Sequence, residues 1–302
     1  MTARSIVIET WNLGREPAAI ARALARQLGL IGAQLGDDDE VIVTHAELDA
    51  ANRAALAHSL GRPIRWQILS PAAGYYEHKN AGFDAATGAI VAFLDGDCAP
   101  DAGWLAALTA PIARGDATVV AGFTSYAGAL APIANQLDFP YFGGRGPGTV
   151  RNFFANNVAF AREVFGARRY PAITPMFHGQ CQVLALRLVE DRVMIRLAPA
   201  ARVTHAWPDG PRAWLATRLL RGADTVSLLP YVAATYAPRA RPLIARLGPV
   251  PALSVLGLRA VRGTVTALRR GPRLRNLALV AACTLVDALG AATAPIVYQR
   301  LA

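Results

Sequence analysis

The chain has 302 residues, 53% of them hydrophobic and 17% charged, which is apolar enough to bury a full α/β core and excludes a disordered chain. Three cysteines, Cys98, Cys181 and Cys283, form no C-x-x-C pair, so a disulfide framework and a structural zinc site are excluded and a reducing compartment fits. The net charge of +10 is lopsided, because residues 201–302 hold 14 arginines against Asp209, Asp224 and Asp287 alone; without an aromatic-interleaved basic stripe, the expected partner is an anionic membrane surface and not nucleic acid.

Met1-Thr2-Ala3-Arg4 leads straight into a strand-like run with no apolar signal stretch, so a cytoplasmic chain is expected. Residues 5–10 read as a buried strand, 11–14 as a turn, and 15–34 as a helix with Ile20, Leu24, Leu28 and Ile31 at helical spacing. The acid run Asp37-Asp38-Asp39-Glu40 is a solvated linker. A strand over 41–44, a helix over 47–60, a strand over 64–69 and a helix over 75–87 follow. Alternation on this spacing indicates a mostly parallel, Rossmann-like sheet flanked by helices.

Residues 89–94 form the central strand, apolar on both faces, and it ends in Asp95-Gly96-Asp97. The carboxyl ends of parallel strands are the functional edge of such a sheet. Two carboxylates at i and i+2 there can reach one divalent cation and the diphosphate it neutralises; a solvated turn is the bland alternative.

A helix over 101–112 and a strand over 118–122 precede a break in the rhythm at 124–150. Gly143-Gly144-Arg145-Gly146-Pro147-Gly148 lacks the Gly-Lys-Ser/Thr ending of a phosphate-gripping loop. Residues 153–160, a short helix from 162, a helix over 181–188, a last strand over 193–197 and an edge segment over 201–205 complete this part. A helix over 211–229 is expected to stop at Pro230.

In the last third, a helical projection of 253–270 sets Leu253, Leu256, Ala260, Val261, Val265 and Leu268 on one side and Arg259, Arg262, Arg269 and Arg270 on the other. That pattern fits a basic amphipathic helix in a membrane interface, or a helix packed on the catalytic domain with its arginines in water. Residues 277–297 are apolar for about a membrane's thickness but centre on Asp287, which costs about 3 kcal/mol at mid-bilayer, so lying on the membrane or packing is expected over spanning. Arg273, Arg275 and Arg300 flank it and would suit anionic headgroups.

The order of motifs carries a resemblance. Residues 5–12 are similar to the S-V-V-I-P-T-Y-N opening of family 2 of the nucleotide-sugar glycosyltransferases, the inverting GT-A fold. Lys79-Asn80-Ala81-Gly82 and Ala85-Ala86-Thr87-Gly88 resemble its R-N-x-G and A-x-G stretch, and Asp95-Gly96-Asp97 its D-x-D. Asn156-Asn157-Val158-Ala159-Phe160 resembles its acceptor-side strand and His205 its late histidine.

The resemblance implies a GT-A domain over 1–220; composition and helical projection alone suggest that 221–302 is a basic, apolar helical region that could associate with a membrane. The resemblance implies transfer of a sugar from a nucleoside-diphosphate sugar, with inversion, to a lipid-linked or glycan acceptor, using Mg²⁺ or Mn²⁺. Asp97 would hold the metal, Asp95 the ribose or the metal, and His205 would be a further ligand or a diphosphate contact, a histidine that merely closes the sheet being the alternative. Glu9, Thr10, His45 and Lys79 would lie on the nucleotide side, and Asn156 and Asn157 on the acceptor side. The expected location is the inner face of the cell membrane.

Three departures qualify it. Glu9 replaces the usual proline, which should free the first loop; Val43-Thr44-His45-Ala46-Glu47 replaces V-D-D-G-S, so the nucleobase is not given; and Gly179-Gln180-Cys181 replaces G-E-D, whose acid deprotonates the acceptor. An amide cannot be a base, and a thiol with a pKa near 8.5 is a poor one. His178 could take the role, or an already ionised acceptor such as a polyprenyl phosphate could need no base. From other classes, a nucleotidyltransferase and a catalytically silent scaffold of the same fold remain as alternatives.

Overall fold

The computed structural model describes residues 3–270 and 273–301, so the opening Met1-Thr2 lies outside the described residues. Four strands, β1 (Arg4–Glu9), β2 (Glu40–His45), β3 (Ile64–Ile68) and β4 (Ile90–Asp95), run parallel in the order β3-β2-β1-β4. Helices α1 (Pro17–Gly32), α2 (Ala50–Leu60) and α3 (Tyr75–Ala85) make the crossovers. The register sets Glu9 beside both Thr44 and Asp95, so three polar side chains meet at the carboxyl edge.

Beyond β4 the sheet turns antiparallel. β5 (Cys98–Pro100), α4 (Trp104–Ala113), β6 (Val119–Ser125), α5 (Ala131–Asp138), β7 (Thr149–Val150), β8 (Asn157–Ala161), α6 (Arg162–Gly166), α7 (Gln180–Glu190) and β9 (Ile195–His205) follow. The full order is β3-β2-β1-β4-β8-β6-β9-β5, with β7 also on β9. The two segments expected at 193–197 and 201–205 are therefore one strand, long enough to pair with β7 at one end and β5 at the other. The break at 124–150 contains a helix, α5, whose buried residues Ile133, Ala134 and Leu137 show only a short apolar pattern.

The chain divides into two units. The first comprises the residues up to Thr124, Tyr141–Ala172 and Asp191–Ala206, and holds the sheet. One face of the sheet packs Ile6, Ile8, Val41, Val43, Ala92 and Leu94 against Ile20, Leu24, Leu28 and Ile31 of α1 and Leu105 and Leu108 of α4. The other buries an aromatic cluster in which Phe165 lies 4.7 Å from Phe93, 4.9 Å from Phe83 and 5.0 Å from Phe160, centroid to centroid.

The second unit gathers Ser125–Pro140, Ile173–Glu190 and everything from Trp207 onward. Its helices are α5, α7, α8 (Gly210–Tyr236), α9 (Arg241–Arg246), α10 (Val250–Arg269), α11 (Leu274–Ala292) and α12 (Ala294–Leu301). Contrary to expectation, α8 runs through Pro230. Buried Ala223 and Ala233 anchor the helix on both sides of the proline, and Thr235 donates to Glu190 at 2.6 Å, so tertiary contacts offset the missing backbone bond.

α8 and α11 touch backbone to backbone. A Cβ on Gly222 would sit 2.0 Å from the Asp287 carbonyl oxygen, and one on Gly290 would sit 2.1 Å from that of Leu219. This approach brings Asp287 to Arg218, whose Nε donates to it at 2.7 Å, while Arg218 also pairs with Asp138. Arg221 reaches Asp138 at 2.5 Å, and the Arg259 side chain donates to the Leu137 carbonyl oxygen. Asp287 thus faces inward and is neutralised.

The amphipathic projection of α10 is corrected in the same way. Leu256 is buried with Ala252, Gly263 and Ala267, and Arg259 points into the unit, whereas Val250, Leu258, Val261, Val265 and Leu268 are exposed. The helix has two apolar faces, and the sequence projection merged them.

Candidate functional site

The site grows from the ends of β1, β2 and β4. Gly96 lets the chain turn out of β4 against β1, because a Cβ there would meet Leu13 Cδ1 at 2.8 Å and the Glu9 carbonyl oxygen at 2.9 Å. Its N–H donates to that same oxygen at 2.9 Å. Gln27, buried on the apolar face of α1, donates through Nε2 to the Asp95 carbonyl oxygen and, at 2.8 Å, to that of Cys98. The turn is braced from both sides.

Asp95 is almost fully buried and gathers hydrogen bonds from three donor groups. Lys79 Nζ lies 2.5 Å from Oδ1 with no exposure of its own. Tyr75 Oη lies 3.0 and 2.9 Å from the two oxygens, and Asn12 Nδ2 donates to Oδ2 at 2.9 Å. Lys79 also lies 4.8 Å from the Tyr75 ring centroid. The lysine expected to approach a nucleotide is therefore the counter-ion of the first D-x-D acid, which is the lowest-energy partner for a charge this far from water.

Glu9 does not free the first loop, as the sequence suggested. Its carboxyl accepts from the Trp11 N–H at 2.7 Å and from Asn12 Nδ2 at 3.1 Å, so it caps the turn that follows β1. Burial, then the neighbouring Asp95 charge, pushes its pKa well above the usual carboxylate range. Thr10 donates its hydroxyl to the Thr44 carbonyl oxygen at 3.1 Å.

Asp97 and His205 come together from the middle and the end of the first unit's sequence. His205 ends β9, which pairs with β5 so that Cys98 stands across from it. His205 Nε2 lies 3.6 Å from Asp97 Oδ2, and its Nδ1 donates to the Ala206 carbonyl oxygen at 2.7 Å. Fixing the proton on Nδ1 turns the Nε2 lone pair toward the carboxylate, and two lone-pair atoms facing each other are stabilised by a cation or proton between them. Burial raises the pKa of Asp97, and the neighbouring His205 ring works against this.

Ligand atoms of Asp97, Cys98 and His205 all lie within 4.8 Å of one another. Burial drives the Cys98 thiol well above its ordinary pKa, so it stays protonated and donates to Asp97 Oδ1 at 3.6 Å. The cluster offers one carboxylate and one imidazole with the Cys98 thiol beside them, and its carboxylate oxygen is the donor type that Mg²⁺ and Mn²⁺ take.

The other expected residues lie elsewhere. His45 is fully buried, accepts the Leu48 N–H on Nδ1 at 3.1 Å, and is held neutral by burial and by the Arg53 charge, with its pKa down at about 4. Asn157 braces the sheet, accepting from Trp104 Nε1 at 2.9 Å and donating to the Ala201 carbonyl oxygen at 2.9 Å. Asn156 accepts from the Thr124 hydroxyl at 2.9 Å.

His178, Gln180 and Cys181 belong to the second unit. Gln180 and Cys181 are buried, and Gln180 Nε2 is turned back onto the Met176 carbonyl oxygen at 3.0 Å. The His178 ring is stacked on Phe177 at 3.8 Å, and Asp224 of α8 accepts the Phe177 and His178 N–H groups at 2.7 and 2.6 Å.

Sequence reasoning missed Tyr75, Asn12, Gln27 and Asp224. Gln27 had a legible signal, a lone amide on the apolar stripe of α1; Asp224 sits on a helix whose periodicity gives no warning of its partners.

The sequence profile of glycosyl transferase family 2 matches residues 5–173. No curated protein matches the chain. Among solved structures, the chain is similar to the mannosyltransferase PcManGT from Pyrobaculum calidifontis, solved with GDP-Man and Mn²⁺, at 16% identity and a TM-score of 0.60 over 96% of this chain and 87% of that one. It is also similar to glucosyl-3-phosphoglycerate synthase from Mycobacterium tuberculosis, solved with Mn²⁺, UDP-Glc and phosphoglyceric acid, at 18% identity and a TM-score of 0.50 over 78% of this chain and 79% of that one. The likeness supports the GT-A fold expected from the motif order.

Proposed function

The chain belongs to glycosyl transferase family 2 and is a glycosyltransferase, and from that premise we propose that it moves a sugar from a nucleoside-diphosphate sugar to a lipid-linked or envelope acceptor with the help of Mn²⁺ or Mg²⁺. The observation that carries the donor half is the Asp97 and His205 pair at the carboxyl edge of the sheet, two ligand atoms 3.6 Å apart. Both solved relatives named above hold a nucleotide or nucleotide sugar together with Mn²⁺.

Asp97 and His205 would hold the cation. When bound, it supplies positive charge to the departing diphosphate as the glycosidic bond breaks. His205 keeps its proton on Nδ1 through the Ala206 carbonyl, which leaves Nε2 as the ligating atom. Lys79, Tyr75 and Asn12 fix the Asp95 carboxylate in one orientation, so the turn that carries Asp97 costs little to reorganise. Glu9 caps the loop beside it.

On the acceptor side, His178 is our candidate base for a hydroxyl acceptor, with Asp224 fixing its backbone. A second reading, an acceptor that is already an anion such as a polyprenyl phosphate, is favoured by Gln180 and Cys181 both being buried where a carboxylate base is expected. His178→Ala tests the first reading, since unchanged turnover with a hydroxyl acceptor removes His178 as the base. We place the protein peripherally on the inner face of the cell membrane, on the strength of the arginine excess in residues 201–302.

The test is a thermal-shift series of nucleoside diphosphates and nucleotide sugars with and without Mn²⁺. At least one nucleotide is expected to stabilise the protein more with Mn²⁺ than without, and Asp97→Ala and His205→Ala should each remove that metal-dependent increment. No metal effect in the unmodified protein would refute the proposal.

A further inference from the structure

Residues 250–292 combine features that a packed helical pair does not need. On α10, Val250, Leu258, Val261, Val265 and Leu268 recur at helical spacing and lie opposite the buried Ala252, Leu256, Gly263 and Ala267. Val261 is 59% exposed although its helix already has a full apolar face turned inward. On α11, Leu274, Ala278, Ala281, Leu285, Leu289 and Ala292 form a second outward row without a charged member, and Leu285 is 73% exposed.

The acid within α11 is withdrawn from that row. Asp287 faces Arg218, so that row of residues shows no charge. Where α10 ends and α11 begins, Arg269, Arg270, Arg273 and Arg275 cluster, and no acidic partner to any of the four is found among the described residues.

We infer that α10 and α11 form a monotopic docking surface for an anionic lipid bilayer, with the outward leucines and valines in the acyl boundary, the four arginines on the lipid phosphates, and neither helix spanning. Charge complementarity selects this occupant. A second copy of the chain would bring like-charged arginine clusters toward each other, whereas phosphate headgroups neutralise them. Spanning is disfavoured because α11 would have to give up the Arg218 pair and carry Asp287 into hydrocarbon. An in-plane helix instead needs one apolar face and a basic flank, which is what these helices have. The inference extends the membrane part of the proposed function and leaves its chemistry aside, since nucleotide-induced thermal shifts test that chemistry in solution.

The experiment is flotation of the full chain with vesicles containing phosphatidylglycerol, against vesicles of phosphatidylcholine alone. Val261→Glu combined with Val265→Glu is the strip variant, Arg269→Gln combined with Arg270→Gln the charge variant, and Met194→Glu, at an exposed apolar residue of the first unit, the control. Thermal melting checks that each is folded.

Binding is expected to favour anionic vesicles and to weaken in about 1 M salt, where the Debye length is near 3 Å. The strip variant should lose at least about tenfold in partitioning, the charge variant should lose most of the anionic preference, and the control should bind unchanged. Three results would overturn the inference: a folded strip variant that floats like the unmodified chain, resistance of the bound protein to alkaline carbonate extraction, as a spanning helix gives, or a dimer in solution that the strip variant breaks while vesicle binding persists.

Discussion

Replacing Lys79 by methionine keeps the volume of the side chain and removes only its charge, leaving Asp95 buried without a counter-ion. Both side chains are essentially inaccessible, 0% for Lys79 and 3% for Asp95, so water cannot take the place of the ammonium. Removing one partner of a buried pair costs about 3–5 kcal/mol. Tyr75 and Asn12 still donate to the carboxylate, which holds the loss toward the lower end, while the nearby Glu9 and Asp97 carboxyls push it up. We expect about 4 kcal/mol in urea unfolding, or about 10 °C in melting temperature at 2–4 °C per kcal/mol. Lys79→Met combined with Asp95→Asn removes the stranded charge and should recover about 2 kcal/mol, a coupling that a double-mutant cycle measures. A loss under about 1 kcal/mol for the single variant, or a double variant no better than the sum of the singles, would refute the buried-pair reasoning.

Gly96→Ala should destabilise by about 1–3 kcal/mol in the same titration and weaken nucleotide binding, because its methyl group meets Leu13 and the Glu9 carbonyl. Gly222→Ala and Gly290→Ala each drive a methyl group into a backbone carbonyl across the α8 and α11 contact, and each should cost more than a typical overpacking change, about 3 kcal/mol or more, read by calorimetry. The His45 pKa is lowered by burial from 6.5 to about 4. The unfolded chain therefore takes up a proton as the pH falls below 6.5 while the folded one refuses it, so stability present above 6.5 is lost as the pH falls toward 4. That loss is about 3 kcal/mol at 1.36 kcal/mol per pH unit, with His78 adding to it in the same direction, and His45→Gln should flatten the slope measured by melting between pH 7 and 5.

The parallel half of the sheet was readable because β-branched runs, helical periodicity and turn residues all agree there, and Asp95-Gly96-Asp97 stands where the pattern puts a functional edge. What surrounds those acids was not readable. Lys79 and Asp95 are 16 residues apart, and only the packing of α3 on β1 and β2, which carries its lysine across to the end of β4, reveals that they neutralise each other. His205 could be matched to Asp97 through motif order, but the Nδ1 bond to Ala206 that aims its ring is a backbone feature without sequence signature. In the second unit the difficulty is distance along the chain. A helical projection finds amphipathic faces, yet it cannot say that α10 has two of them, that Arg259 turns inward, or that Asp287 finds Arg218. Pro230 was misread for the same reason, since the anchors that carry α8 past it come from tertiary packing.

Arg218 joins carboxylates supplied by residues 138 and 287, 80 positions before it and 69 after it. During synthesis, Arg218 is made with one acid already in the chain and the other still 69 residues away. Loop closures of that size are slow. The helices of the second unit must therefore wait, with the apolar faces that α11 covers still open, until the residues around Asp287 have been added.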